Sequence, residues 1–391
     1  MDAMPFLIAG GGIAGLAASL GLAKAGRASR VFEQHGEFAE VGAGLQMSPN
    51  GVRALRWLGA WEAVEPHCVI PTEIHVRDGM TGSLLQRVTL GKPFEQRFGA
   101  PYRVAHRADL LGGLLATAKS SPLVQLNTGT AVTKAHGAAI ELADGRRETG
   151  SGVIAADGIG SILRQQAWPD TAPIFRGHAI YRALIPFAEV PPAIASDCVT
   201  LWLYPGGHVV HYAVSAWRQF NIVAAIDSPW TGGAWNEPGD ATDLKAAFAA
   251  AAPALADLIS APSQWLRWAG ADLAPLPAWT KPDLTLIGDA AHATLPYLAQ
   301  GAVMALEDAC VLAASLTGAD GIAAGLQRYA TERQPRTSRI QLESRQLARV
   351  YHARGLTALA RNATLRFMSP DRFTRRYAWI YDWQPPAAPP A

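Results

Sequence analysis

An apolar run, Phe6–Ala9, meets three consecutive glycines in the opening stretch "FLIAGGGIAGLAASLGLAKAG". Gly10, Gly12 and Gly15 fit the pattern G-x-G-x-x-G. Glycines at that spacing permit a tight turn and let backbone N–H groups approach a pyrophosphate. The helix that follows adds the positive end of its dipole. A second apolar stretch, Arg30–Glu33, ends on an acid at the distance expected for accepting ribose hydroxyls. The chemistry is dinucleotide binding, and the turn alone does not separate FAD from NAD(P). A carboxylate at Glu33 repels a 2′-phosphate, which disfavours NADP on this turn. Two more acids leave predicted strands, at Asp157-Gly158 and at Gly288-Asp289. A carboxylate at the end of a buried strand needs a partner, a ligand or a helix N-terminus.

A second set of reactive residues lies mid-chain. Between about Phe175 and Trp268 tryptophan and tyrosine become frequent, and "VTLWLYP", "HVVHYAV" and "FNIVAAI" alternate as strands do. Pro205-Gly-Gly207 is a hairpin signal. Side chains alternate faces, so His208, Val210 and Tyr212 share one face while Val209 and His211 take the other. An imidazole of ordinary pKa, about 6.5, carries a proton near neutrality. An aromatic, half-buried sheet face can floor a pocket for a planar ligand, and it can equally fill a core.

The elements that must hold these groups are legible as patterns. Helix periodicity runs over Ile13–Lys24, with Leu16, Leu20 and Ala23 on one face. Leu284–Ile287 reads as the strand before Gly288-Asp289, and Gly301 opens a helical stretch, Ala302–Leu316, with one apolar face. The fold class expected is α/β: a Rossmann-like dinucleotide-binding domain interleaved with a β-sheet substrate domain, followed by C-terminal helices. Residues 1–70, 103–174 and 278–340 form the first, 71–102 and 175–277 the second, 341–384 the helical segment and 385–391 a flexible tail. Arginines at helical spacing in 341–381 suggest packed helix with solvated charges, at most a dimer contact.

Composition removes other classes. Hydrophobic residues are 49% and charged residues 17%, enough for large cores, and the net charge of +2 predicts no nucleic-acid surface. Cys68, Cys198 and Cys310 form no CxxC pair, so no disulfide framework or zinc site is expected, and a cytoplasmic location fits. The N-terminal apolar stretch is glycine-interrupted and preceded by Asp2, with no Lys or Arg, unlike a secretory signal. No segment is apolar for long enough to span a bilayer. His292 has no second ligand at metal-binding spacing and reads as structural. No second G-x-G-x-x-G follows a strand, so no separate nicotinamide-binding domain is expected.

The glycine turn with Glu33, "HRADL" (His106–Leu110), Asp157-Gly158 and Gly288-Asp289-Ala-Ala-His292 occur in the order found in one family. Over nearly its whole length the chain resembles the class A flavoprotein aromatic hydroxylases, the para-hydroxybenzoate hydroxylase-like monooxygenases. The resemblance implies FAD as resident cofactor and NADH or NADPH as a transient reductant. It implies Asp289 on the FAD ribityl chain, Arg107 on the phosphates, where a guanidinium fork suits a diphosphate, and the amides at Gly301 facing the flavin pyrimidine ring. Asp157, Gly158 and Arg164 resemble a motif tied to both FAD and the pyridine nucleotide, only partly kept here.

Salicylate, 3-hydroxybenzoate and 6-hydroxynicotinate hydroxylases are the nearest kinds. By that likeness His208 is the base or acceptor for a substrate phenol and Tyr212 orients the ring. Gln300 joins them in the catalytic set. Gln46, Pro296 and Tyr297 are substrate contacts. The hydroxynicotinate enzymes carry His at the counterparts of Gln46 and Tyr297, so this chain departs from them. The implied reaction adds oxygen from a flavin hydroperoxide to a phenolic or hydroxylated heteroaromatic ring, which is carboxylated in some relatives. The alternatives are an FAD-dependent epoxidase of a non-phenolic substrate and a non-catalytic dinucleotide-binding protein. The implied partners are a small aromatic substrate and O2, with no nucleic acid and no membrane, in a monomer or homodimer.

Overall fold

The computed structural model describes residues 4–38, 43–229 and 236–388. Phe6–Ala9 lies at the centre of a six-stranded sheet, paired in parallel with Gly152–Ala155 on one side and Ser29–Phe32 on the other. Val124–Asn127 extends one edge; Leu284–Leu286 and the short antiparallel Thr280–Lys281 extend the other. Phe6–Ala9 and Gly152–Ala155 are buried at every residue, as apolar strands covered on both faces must be. The strand order changes side at the central strand, with Ser29–Phe32 next to it on one flank and the much later Gly152–Ala155 on the other, so its carboxyl end opens a crevice. Helix Ile13–Lys24 packs so closely on Gly301–Leu316 that a methyl at Gly21 would stand 2.6 Å from the Ala309 carbonyl oxygen.

A second, eight-stranded sheet is largely antiparallel. Its central strands are Ile174–Pro186, Gln219–Asp227, Gly207–Val214 and Val199–Tyr204. The hairpin read from Pro205-Gly-Gly207 is present; Gly206 takes φ +79°, a left-handed value that suits glycine. A small ribbon, Gly44–Met47 with Arg103–His106, joins the two sheets, and the Gly44 N–H donates to Asn221 Oδ1 at 2.7 Å.

The C-terminal expectation needs two corrections. One 30-residue helix, Ile322–Tyr351, starts before the expected segment, and three shorter helices come after it. Several of the arginines are not solvated. Arg345 pairs with buried Asp272 at 2.6 Å, and Arg361 donates to the carbonyls of Val350 and Tyr351, because each satisfies polar groups the packing has buried. Part of the expected tail is also held: Trp57 Nε1 donates to the Pro386 carbonyl at 2.9 Å. Residues 389–391 lie outside the described residues.

The long helix is bolted to the cofactor-side core by buried charge. Arg333 meets Asp308 at 2.7 Å and Glu307 at 2.8 Å, and Arg336 meets Glu307 at 2.7 Å. Asp308 also accepts from His292 at 2.5 Å and from the Gly288 N–H at 3.1 Å. Burial pushes the Asp308 carboxyl up, but His292 and Arg333 outweigh it and hold the group at about 2. Its stabilising contribution is therefore present above the ordinary carboxylate pKa, about 4, and is lost as pH falls from there toward 2. Asp308→Asn should destabilise the fold by about 3–5 kcal/mol at neutral pH, since it takes the charge out of a buried network and leaves Arg333 only Glu307. Denaturant unfolding at neutral and at acidic pH checks this: the difference between variant and parent should shrink as acid protonates Asp308 in the parent.

Candidate active site

A cavity of about 860 Å³ lies between the carboxyl ends of the six-stranded sheet and one face of the eight-stranded sheet. That is near the upper end of small-molecule sites. Its cofactor-side wall contains Gly10, Gly12, Glu33, Arg107, Asp157, Asp289 and Gly301. Three turns far apart in sequence therefore converge, as the order of motifs implied.

Local chemistry fixes each group. Gly10 takes φ +107°, and a methyl there would fall 2.4 Å from the Ala156 carbonyl oxygen, so only glycine makes this turn beside the neighbouring strand. Glu33 Oε2 accepts from the Gly11 N–H at 2.8 Å, and Oε1 from the His35 N–H at 2.9 Å. The carboxylate thus sits over the glycine turn. Arg107 begins helix Arg107–Lys119, which His106 caps by accepting from Ala108 N. Asp289 heads the short helix Asp289–His292 without capping it, and a methyl at Gly301 would stand 4.0 Å from its Oδ1. Gly301 is the first residue of helix Gly301–Leu316, whose opening amides have no intrahelical acceptor. Asp157 Oδ1 is buried without a hydrogen-bond partner, and burial raises its pKa. A glycine turn that leads into a helix N-terminus, an unpartnered buried carboxylate oxygen, an arginine and a second helix N-terminus at Gly301 together fit a dinucleotide with a diphosphate and a polar ring.

Four of the expected residues lie off the cavity wall. Arg164 is fully buried away from the cavity and donates to the carbonyls of Ile159, Thr171 and Ala290, so it clamps the loop behind Asp157 instead of reaching a ligand. Gly15 serves packing: a methyl there would lie 1.9 Å from the Gly10 carbonyl oxygen. Gly288 does the same against Ala14. Gln300 lies outside the cavity wall with both ends of its amide used, Oε1 by Asn50 and Nε2 by Ser48, each at 3.0 Å. Asn50 in turn donates to Glu307 at 2.7 Å, so Gln300 belongs to the buried polar cluster beneath the helix.

Strand parity holds. His208, Val210 and Tyr212 line the cavity, whereas His211 is turned into the opposite layer and accepts from Trp202 Nε1 at 2.9 Å. Burial raises the Tyr212 pKa against the lowering effects of Arg182 and a hydrogen bond with Gln46. A smaller cavity of about 120 Å³ adjoins, and Gln46, His208, Val210, Pro296 and Ala299 line both. Tyr102, Tyr297, Tyr351, Tyr377 and Tyr381 are among its other lining residues, with aliphatic side chains such as Val76 and Val199. Tyr102 donates to Gln46 Oε1 at 2.5 Å, and the Tyr297 hydroxyl is buried without a partner. His208 Nδ1 lies 2.9 Å from His352 Nε2, and His352 Nδ1 lies 2.5 Å from Asp227 Oδ1. Burial first, then His352 and His178, push the His208 pKa well below the ordinary histidine value, so the ring is neutral.

Sequence reasoning missed Arg182, Trp268, His352 and Asp227. Arg182 and Trp268 stand in the large cavity wall, the guanidinium 5.1 Å from the indole centroid. Cross-strand register, Arg182 opposite Val223 and Val223 opposite Val210, would have put Arg182 on the His208 face, but register is not readable from one strand. His352 and Asp227 are 125 residues apart and carry no local signal.

The sequence profile described as FAD binding domain matches residues 3–344. The chain is similar to the 3-hydroxybenzoate 6-hydroxylase of Polaromonas naphthalenivorans, 36% identical over 97% of this chain and 96% of that one. It is 37% identical to a 3-amino-4-hydroxybenzoate 2-monooxygenase of Streptomyces platensis over 98% and 96%. Among solved structures it superposes on Klebsiella pneumoniae HpxO complexed with FAD and uric acid with a TM-score of 0.86, at 27% identity and 97% coverage of both chains. The chain belongs to the FAD binding domain family, in its class A aromatic hydroxylase branch. It is an FAD-dependent monooxygenase that uses NAD(P)H to hydroxylate a phenolic or hydroxylated heteroaromatic ring, and the epoxidase and non-catalytic alternatives are set aside. No described helix is long and apolar enough to cross a membrane.

Two substitutions separate the wall from its support. Asp289→Ala should weaken flavin retention by about tenfold to a hundredfold, the loss of one hydrogen bond to a charged group. Ultrafiltration of the yellow protein measures this. Gln300→Ala should instead lower Tm, with flavin affinity and KM for the ring changed by less than about twofold.

Proposed function

We propose that the ring substrate occupies the smaller cavity with its hydroxyl on His208, and that His208 acts as the general base. The observation that carries this is the position of His208: one buried imidazole lines both the flavin-side cavity and the small one. A cavity of about 120 Å³ suits a single ring, since an engineered apolar cavity of about 150 Å³ takes benzene. The relatives named for 3-hydroxybenzoate and 3-amino-4-hydroxybenzoate support a monocyclic phenol. Gln46 and the unpartnered Tyr297 hydroxyl are positioned to orient a second polar substituent, and Tyr212 the ring edge facing the large cavity.

Glu33 is proposed to hold the FAD ribose, Arg107 and the amides that open helix Ile13–Lys24 the diphosphate, Asp289 the ribityl hydroxyls, and the Gly301 amides the flavin pyrimidine. Asp157 completes the wall. Bound FAD supplies oxygen activation and delivery of one oxygen atom to the ring. The protein's own task is to make the ring a better nucleophile. A phenol that gives its proton to His208 becomes electron-rich, and a low-dielectric pocket walled by tyrosines excludes water from the reacting atoms. Pro296 stands at the junction of the two cavities and brings no N–H there, its carbonyl accepting from the Ala299 N–H at 3.0 Å. A reducing, cytoplasmic setting suits the free thiols Cys68, Cys198 and Cys310.

His208→Ala tests the base. Hydroxylation of a phenol near neutral pH should fall by about a hundredfold or more. It should partly recover as rising pH ionises the phenol in solution. Product formed per NAD(P)H consumed is the measurement; a flat, near-parental profile would remove His208 from the chemistry.

A further inference from the structure

His208 does not end in the pocket. It begins a hydrogen-bonded file that reaches the surface: His208 Nδ1 to His352 Nε2 at 2.9 Å, then His352 Nδ1 to Asp227 Oδ1 at 2.5 Å. His208 and His352 are buried, while the Asp227 side chain is 38% exposed. The outer end sets the direction of the protons. Burial pushes Asp227 up, but hydrogen bonds from His352 and Arg354 hold it below the ordinary carboxylate range, so it is ionised and can only accept. A neutral His352 must therefore carry its proton on Nδ1 and present Nε2 as an acceptor. His208 must then carry its proton on Nδ1, which leaves the lone pair on Nε2.

The file is also held rigidly. His352 caps the long helix, and its carbonyl accepts from the Gly206 N–H of the hairpin at 3.1 Å. Asp227 N donates to the Gly206 carbonyl at 2.9 Å. Arg354 Nη2 reaches Asp227 Oδ2 at 2.9 Å.

We propose that His352 and Asp227 are positioning residues that set His208 as a base and carry the substrate proton to solvent. This rests on the reading of His208 as the base. The steps balance. The phenol O–H breaks and its proton goes to His208 Nε2. His208 releases its Nδ1 proton to His352 Nε2, and His352 releases its Nδ1 proton to Asp227. Asp227 hands that proton to water. The site keeps a phenolate and a neutral file with both ring tautomers reversed, and one proton leaves the protein; the same path run backwards, one proton entering through Asp227 to the bound phenolate product, restores them. Other titratable groups face the file: Tyr297 and Tyr351 pack on His208, Tyr297 and His178 pack on His352, and His178 stands 3.7 Å from Asp227. His178 Nδ1 is buried without a partner, and burial lowers its pKa to about 4, so it is neutral during the transfer.

The experiment follows proton release when a phenolic ligand binds the oxidised holoenzyme, by stopped flow with an indicator dye in weak buffer. The parent should release about one proton per ligand. His352→Ala and Asp227→Asn should slow that release by about tenfold or more and raise the apparent pKa of the bound phenol. Added imidazole should restore the rate in His352→Ala and not in His208→Ala. A structural role would not produce that rescue. Asp227→Asn, at a partly exposed position, keeps the test open if His352→Ala folds poorly. Release lost in His208→Ala but unchanged in both His352→Ala and Asp227→Asn would overturn the file and leave the base intact. Absence of release in the parent would overturn the base itself.

Discussion

Asp308 is the point at which the architecture of this hydroxylase is tied together. One buried carboxylate receives the Gly288 N–H from the third cofactor-side turn, the His292 ring from the short helix after it, and Arg333 from the long C-terminal helix. It belongs to the very helix whose N-terminus faces the large cavity. Desolvating such a group costs several kcal/mol, and full pairing is what makes the burial tolerable. Because Gly288 and His292 bracket the short helix that Asp289 heads and Arg333 comes from the long helix, the cluster sets the position of Asp289 relative to Gly301 more tightly than apolar packing would. Apolar contact resists separation but is indifferent to small sliding.

The same long helix then reaches the substrate side. It starts beside the six-stranded sheet, donates Arg333 and Arg336 to the cluster, pairs Arg345 with Asp272, and ends at His352 beside His208. One rigid element thus couples the geometry of the cofactor wall to that of the base. The short helices beyond Tyr351 close the small cavity. Ile380 and Tyr381 line it, and Arg53 holds the carbonyls of Phe98, Tyr381 and Trp383. The closing segment is therefore anchored to the cofactor side by a guanidinium that donates to three backbone carbonyls.

How much of this was legible in the sequence depends on the range of the forces involved. The glycine turn, the strands on either side and the facing of His208, Val210 and Tyr212 depend on backbone sterics and on periods of 2 and 3.6 residues, which are local. They were readable, and so was the α/β class. The hydrogen bonds of Gln300 and Arg164 were not readable because the fate of a long polar side chain depends on partners distant in sequence. Ser48 and Asn50 lie 252 and 250 residues from Gln300, and Ala290 lies 126 from Arg164. Either side chain could face a ligand or a carbonyl with the same local pattern. His352 and Asp227 escaped for the same reason: nothing within a turn of either residue marks it.

The two cavities share a wall, and that sharing explains why the base must be neutral and buried. A permanently charged group at the junction would draw water into the low-dielectric space next to the flavin side. A neutral imidazole avoids this, but burial alone would leave it too weak a base to ionise a phenol. The conflict is resolved if the countercharge is kept at a distance. Asp227 sits at the surface, where its own solvation is cheap, and acts on His208 only through the aligned dipoles of His352. In the proposed file no charge enters the pocket in the resting state and the proton has a hydrogen-bonded route out, which a lone buried histidine could not offer.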